Sequence, residues 1–116
     1  QPGLDRWSKI VDKPVINGDS AFTMITDTMP RPFGPVADTL KQRAQWTDEF
    51  FRKAFARPEF VGWHYCGLID ASNQVARKQE RQHSGLLDGF GQPYLELQKT
   101  LKTCSKEIYS ISEYVF

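Results

Sequence analysis

Two short apolar segments of this 116-residue chain each end on side chains that exchange protons readily. The first covers residues 13–19 and ends on the carboxylate of Asp19. The second covers residues 60–65 and carries His64 between two aromatic residues, Trp63 and Tyr65. Carboxylate and imidazole groups are the usual proton donors and acceptors of enzymes. We therefore expect any chemistry of this chain to lie where these two segments end.

Both segments have the character of short buried strands, and a helical pattern separates them. This order predicts two consecutive βα units of a parallel sheet, in which functional groups gather at the carboxyl ends of the strands. Side chains alternate along a strand, so Asn17 and Asp19 are expected on one face. Each unit has its long loop after the strand, over residues 20–35 and 66–84, and a tight connection after the helix. The fold class predicted is α/β.

The helix boundaries follow from local signals. Asp38 is a candidate N-cap for a helix that ends at residue 56 or 57, before Pro58. Pro93 is expected at the first position of a second helix. One partial domain over residues 1–116 is predicted, with a first βα unit at 12–57 and a second at 58–109. Residues 1–12 are a lead-in with at most a short helical turn, and the tail 110–116 is left unassigned.

Composition narrows the classes of function. The formal charge is +1, which gives no case for nucleic acid or an anionic membrane surface as a partner. No apolar run approaches the roughly 20 residues that a membrane-spanning helix needs. Cys66 and Cys104 stand at no metal-ligand spacing, so no metal or other cofactor is predicted. Whether the two cysteines pair is left open.

Most of the candidate residues also have a purely structural interpretation. Asp19 is a common residue type in turns that follow strands. His64 is of a type often found hydrogen-bonded in cores, and Trp63 is more readily explained by packing against helices. Asp70 could bind a ligand hydroxyl or cap loop backbone. The remaining side chains are assigned purely structural positions. Trp46 is expected in the core, and Gln82, His83 and the charged run 77–82 are expected on the surface.

Several motifs together resemble the end of a TIM-barrel glycoside hydrolase of clan A, of the agarase and β-galactosidase-like retaining group. They are KPVINGD at 13–19, Arg43-Ala44 in the helix, RPEFVGWHY at 57–65, GLLD at 85–88 and QPY at 92–94. In that family, similar phrases mark barrel strands seven and eight and the start of the last helix. The resemblance extends over residues 12–108, and its specificity lies in the order and spacing of the motifs.

The resemblance implies that the chain is the C-terminal portion of a (β/α)8 barrel. It also implies hydrolysis of poly- or oligosaccharides through a covalent glycosyl-enzyme intermediate. Asp19 occupies the family's nucleophile position on strand seven. Carbohydrate contacts are then expected from side chains at the strand ends and the following loop: Asn17, Trp63, His64, Tyr65 and Asp70. The remaining strands would come from the parent chain or a partner chain, and the family favours an extracellular or periplasmic location.

The sequence departs from the family pattern in two places. Asp19 stands where the family has Glu, which shortens the side chain by one methylene group. The acid/base of the family lies on strand four in an Asn-Glu pair, and no such segment is present. The segment alone is therefore expected to be inactive. The competing hypothesis is a non-catalytic carbohydrate-binding or interaction module derived from the same fold.

Overall fold

The computed structural model describes residues 2–70 and 81–113, and within them an α/β arrangement. The elements in chain order are α1 (Pro2–Ile10), β1 (Val15–Asn17), α2 (Leu40–Phe55), β2 (Phe60–Trp63) and α3 (Leu95–Glu113). The predicted α/β class and the two strand positions are thereby confirmed. The lead-in forms a longer helix than the single turn expected, and part of the unassigned tail continues α3 as far as Glu113.

The two strands pair in parallel, as the βα pattern predicts. Val15 pairs with Phe60, but Ile16 pairs with Gly62, so the register shifts by one residue at Val61. One face of the sheet packs on α2. On the opposite face, Ile16 is 65% exposed and Val61 is 56% exposed. Parallel sheets normally have both faces covered, so this face is available for further packing.

Helix α2 begins one residue later than predicted. Thr39, not Asp38, is the N-cap: its backbone is extended, and its hydroxyl accepts a hydrogen bond of 3.0 Å from the Gln42 N–H. The Gln42 side chain reaches back to the Asp38 N–H at 2.7 Å. Asp and Thr are both good N-caps, and the extended backbone of Thr39 and its bond to Gln42 identify Thr39 as the cap here.

The prediction that Pro93 opens the last helix was wrong by two residues. Helix α3 begins at Leu95, and the Tyr94 carbonyl accepts the first helical hydrogen bond, from Gln98 N–H at 2.9 Å. Pro93 instead takes part in an antiparallel bridge with Leu87. That bridge holds the backbone before the helix in an extended form, which delays the first helical turn.

The core lies between α2, α3 and the covered face of the sheet. It is mostly aromatic, and Phe50 packs edge-on against Trp63 with ring centroids 4.7 Å apart. Its buried members are Phe50, Phe51, Ala54, Phe55, Phe60 and Cys104. Helix α2 supplies four of these six residues and therefore forms most of the core.

The two long connections contain no regular strand or helix in the part of the chain that the structure describes, but they contact each other. Thr23 bridges Val36 within the first connection, and Met24 bridges His83 across to the second. The predicted charged run at 77–82 lies mostly outside the described residues. The two loops therefore form one assembly above the carboxyl ends of the strands.

The cysteines and the surface complete the description. Cys66 and Cys104 are not joined by a disulfide. Burial, reinforced by a hydrogen bond to Asp48, raises the pKa of the Cys104 thiol to about 12. Among residues 2–70 and 81–113, no cluster of three potential metal ligands occurs. None of the described helices is long and apolar enough to cross a membrane.

Candidate functional site

The carboxyl ends of β1 and β2 lie side by side, as expected for adjacent parallel strands. The His64 N–H donates to the Asn17 carbonyl at 2.8 Å. The Nδ1 atom of the same histidine lies 3.2 Å from the Gly18 carbonyl oxygen. A carbonyl can only accept, so Nδ1 carries the proton in this contact. His64 is therefore an exposed side chain whose ring is held against the turn that leads to Asp19.

The side chain of Asn17 shapes that turn. Its Oδ1 accepts from the N–H groups of Asp19 at 3.2 Å and Ser20 at 3.0 Å, and its Nδ2 donates to Ser20 Oγ at 2.7 Å. Asn side chains commonly stabilise turns in this way. Asn17 thus has a structural task that fixes the backbone of Asp19, and its predicted contact with carbohydrate stays a prediction.

Asp19 lies exposed at the edge of a cleft of about 380 Å³. Aromatic residues form much of the wall, including Phe22, Phe33 and Phe50. Asp19 is the single acidic residue lining this cleft in the described part of the chain. The arrangement places one carboxylate beside an apolar surface of the kind on which a sugar ring can stack.

Trp63 and Tyr65 point toward α2 and differ in their contacts. Trp63 packs against Phe50 and donates from its indole nitrogen to the Ser20 carbonyl at 3.0 Å. The expected packing of Trp63 against a helix is therefore confirmed, and its predicted contact with carbohydrate remains untested. Tyr65 is half-buried, and its hydroxyl oxygen lies 2.9 Å from Nη2 of Arg43.

Asp70 is buried, at 4% exposure, and both of its oxygens are engaged. Oδ1 accepts from the Gly85 N–H at 2.7 Å, and Oδ2 accepts from the Tyr94 hydroxyl. Of the two interpretations left open for Asp70, these contacts correspond to backbone capping. Its predicted contact with a sugar hydroxyl remains untested.

His83 was predicted on the surface, and that prediction was wrong. It is only 5% exposed, its ring stacks on Tyr94 at 4.7 Å, and its Nδ1 lies 3.2 Å from Nη1 of Arg43. Arginine can only donate, so Nδ1 accepts and the imidazole is neutral with its proton on Nε2. The polar neighbours of His83 suggested a solvated loop, but the bridge between Met24 and His83 folds this segment inward.

Arg43 is the residue that sequence reasoning missed as a site component. It lies in the first turn of α2, is fully buried at 0% exposure, and hydrogen-bonds five groups. Their distances from the guanidinium are 2.6 Å for Phe22 O, 3.2 Å for His83 Nδ1, 2.9 Å for Tyr65 Oη, 2.5 Å for Ser84 O and 2.8 Å for Gly85 O. A signal was present: Arg43 stands four residues before Thr47 and seven before Phe50, on the inward stripe of the helix.

One peptide unit stands between Arg43 and Asp70. The Ser84 carbonyl accepts from Arg43, while the N–H of the same peptide, on Gly85, donates to Asp70. The peptide dipole is thus oriented between a cation and a carboxylate, which favours both. This explains how a guanidinium can be buried without a direct carboxylate partner.

Replacing Gly85 by Ala is expected to destabilise the fold by about 2–3 kcal/mol, because the site has no room for a methyl group. A Cβ at this position would lie 2.6 Å from both Ile69 C and Leu87 O, and closer still to Asp70 N. All three are backbone atoms and cannot rotate away. Urea unfolding measures the change. Gly18→Ala is the matched control, because a Cβ there meets nothing within 4 Å.

Protonation of His83 is expected to make folding less favourable in mild acid. Burial is the main cause that lowers the pKa of His83, with Arg43 acting in the same direction and Asp70 opposing. The unfolded chain therefore binds more protons below about pH 6.5, and stability must fall as pH drops through that value. Urea midpoints at pH 7.5 and 5.5 measure the loss. The loss of stability between these two pH values should be smaller in His83→Gln and unchanged in His64→Gln. An unchanged loss in His83→Gln would contradict the assignment of the pH dependence to His83.

The fold and the site together define an α/β unit whose polar and aromatic side chains meet at the carboxyl ends of two parallel strands. No family model matches the sequence, and neither does any curated protein. Solved structures do share the fold. An exo-β-agarase aligns with a TM-score of 0.83 at 22% identity, over 93% of this chain and 15% of the agarase.

Two further structures are similar in the same way. The structure of PfGH50B has a TM-score of 0.80 at 22% identity, over 93% of this chain and 16% of its own. The agarase AgWH50C has a TM-score of 0.78 at 19% identity, over 96% of this chain and 17% of its own. The present chain therefore spans about a sixth of the length of these proteins. At such identities the likeness shows a common fold.

Proposed function

We propose that this chain is the C-terminal segment of a retaining glycoside hydrolase, in which β1 and β2 are strands seven and eight of a (β/α)8 barrel. One observation carries the proposal. The parallel pair that holds His64 against the Gly18 carbonyl, one residue before Asp19, lies in a fold shared with agarases over more than nine-tenths of the chain. The exposed face of the sheet, with Ile16 and Val61, supports the presence of further barrel strands from the parent chain or a partner chain.

Asp19 is the proposed nucleophile. Its carboxylate attacks the anomeric carbon as the bond from that carbon to the leaving oxygen breaks, and a second carboxylic acid protonates the leaving oxygen. Water then hydrolyses the resulting ester, with the second group now acting as base. The second carboxylate must lie about 5–5.5 Å from the first. The rest of the barrel is the proposed source of that group.

The other side chains of the site would hold the sugar. His64 is exposed next to the Asp19 turn, with Trp63 immediately before it at the end of β2 and Tyr65 immediately after it. Imidazole and phenol groups can hydrogen-bond to sugar hydroxyls. The apolar face of a sugar ring can stack on the aromatic wall of the cleft. Asn17 and Asp70 contribute by fixing the backbone that carries these groups.

Hydrolysis of agarose by the natural polypeptide that carries this sequence tests the proposal. We expect reducing ends to accumulate, and proton NMR of the earliest product to show the anomeric configuration of the substrate. First products of inverted configuration would contradict a retaining mechanism. Failure to release sugar from agarose or from other galactans would contradict the hydrolase assignment.

A non-catalytic carbohydrate-binding module is the second candidate. It is favoured by Asp19, which is one methylene group shorter than the Glu of the family pattern, and by the absence of a second acid from the described cleft lining. A displacement of about 1 Å can cost a hundredfold in rate. Titration of an agar-derived tetrasaccharide against tryptophan fluorescence separates the two candidates. Binding without sugar release supports the module.

A further inference from the structure

Arg43 bonds to Tyr65 in a way that fixes the direction of that hydrogen bond. Nη2 of Arg43 lies 2.9 Å from the Tyr65 hydroxyl oxygen, and a guanidinium has donors only. The oxygen of Tyr65 therefore accepts. The O–H of Tyr65 is left to donate elsewhere, and within residues 2–70 and 81–113 it has no hydrogen-bond acceptor.

The guanidinium itself cannot easily turn away from this arrangement. Its other bonds go to main-chain carbonyls of both long connections and to the His83 ring. Arg43 is fully buried, and a buried charge that loses its hydrogen-bond partners is strongly destabilising. The position of the donor that faces Tyr65 is thereby fixed by the fold.

The phenol remains protonated under ordinary conditions. Burial is the main cause that raises the pKa of Tyr65, and it outweighs the opposing effect of the Arg43 charge. Tyr65 directly follows His64, which contacts the turn that carries Asp19. The protonated hydroxyl of Tyr65, whose oxygen already accepts from Arg43, therefore belongs to a residue two positions after the end of β2.

We propose that Arg43 is a positioning residue that holds the Tyr65 hydroxyl as a hydrogen-bond donor to an acceptor oxygen of the bound saccharide. This inference rests on the proposed function for the identity of the ligand. It adds to that function the residue Arg43, which lies on α2 outside the cleft. It also states the direction of the contact, with Tyr65 as donor and the saccharide oxygen as acceptor. The Tyr65 hydroxyl would favour saccharides that place an acceptor oxygen next to it, because any other saccharide leaves its O–H without a hydrogen bond.

A double-mutant cycle on the natural polypeptide tests the coupling, with the dissociation constant of an agar-derived tetrasaccharide as the readout. Tyr65→Phe and Arg43→Lys are each expected to weaken binding about fivefold, the value of one ordinary hydrogen bond. The double variant should bind no worse than Tyr65→Phe alone. Losses that multiply to about 25-fold, or no loss in Tyr65→Phe, would overturn the inference. Arg52→Lys and Tyr109→Phe are the matched controls, since both side chains are more exposed and lie elsewhere.

A second measurement keeps the native arginine and so does not depend on the folding of Arg43→Lys. Tyr65 is replaced by 3,5-difluorotyrosine, whose phenol ionises at lower pH. Tetrasaccharide affinity should fall as this phenol loses its proton, because an ionised oxygen cannot donate. Constant or rising affinity would overturn the donor role.

The fluorine NMR signal of the same protein without ligand separates failure of the inference from failure of the proposed function. Arg43→Lys should shift that signal, whereas Arg52→Lys should not. An unmoved signal would overturn the positioning role whatever the ligand is. If the wild-type polypeptide bound no saccharide, the proposed function and the donor role would both fail, and a shifted signal would leave only the Arg43–Tyr65 contact established.

Discussion

Asp19→Asn is expected to lower kcat for saccharide hydrolysis by the natural polypeptide at least about a hundredfold, with a much smaller change in KM. The amide keeps the size and the backbone hydrogen bonds of Asp19, including the bond from its N–H to Asn17. It removes the charge that attacks the anomeric carbon. A mere 1 Å displacement of a reacting group costs about a hundredfold, so loss of the nucleophile should cost no less. Initial rates of reducing-sugar release across substrate concentrations separate kcat from KM.

Asp12→Asn is the matched control for this experiment. Asp12 is also exposed, and its substitution by Asn removes the same charge as Asp19→Asn. Asp12 precedes β1 and so lies toward the opposite end of the strand from Asp19. It should leave both constants within about twofold, as expected for a surface change away from the site. A change of less than about threefold in Asp19→Asn, equivalent to under 1 kcal/mol, would remove Asp19 from the mechanism.

Arg43→Met is expected to destabilise the folded chain by about 3–5 kcal/mol, the cost typical of removing one partner from a buried charged network. Methionine fills part of the volume but donates no hydrogen bonds. The carbonyls of Phe22, Ser84 and Gly85 would lose a charged donor, and Asp70 would lose the nearby cation. Urea unfolding followed by circular dichroism measures the difference in the free energy of unfolding.

The control lies on the same helix. Arg52 is partly exposed and pairs with Asp48 and Glu107, and exposed ion pairs contribute little. Arg52→Met should cost at most about 1 kcal/mol. If the two variants unfold at the same urea concentration, the buried network does not stabilise the fold in the way described.

The elements of this fold were predictable where local chemistry decides them. Val15, Ile16 and Phe60 mark the strands because apolar and β-branched residues between turn signals favour extended backbone. Pro58 predicts the end of α2 because it cannot continue a helix, although the helix ends at Phe55, one or two residues before the predicted end. Boundaries were less certain where two residues compete. Asp38 and Thr39 are both good N-cap residue types, and the bridge between Leu87 and Pro93 shifts the start of α3.

The candidate site divides along the same line. The meeting of the two strand ends follows from parallel pairing, and the structure shows it at Asn17 and His64. The inward position of Arg43 on α2 was predictable from the helix period, but its hydrogen-bond partners were not, because those contacts join residues 21 to 42 positions apart. A run of polar residues ordinarily predicts a solvent-exposed segment. His83 is buried instead, because Arg43 of α2 and Tyr94 of the last loop pack against its ring. Only tertiary packing determines which polar groups are buried together.

Trapping of the covalent intermediate tests the central claim most directly. The natural polypeptide is incubated with 2-deoxy-2-fluoro-β-galactosyl fluoride, which forms the glycosyl ester with loss of fluoride and then turns over slowly. Peptide mass spectrometry should find the fluorosugar on Asp19, in the peptide that contains the NGD turn, and should find none in Asp19→Asn. A label on another carboxylate, or an active polypeptide that releases sugar with no label on Asp19, would contradict the account.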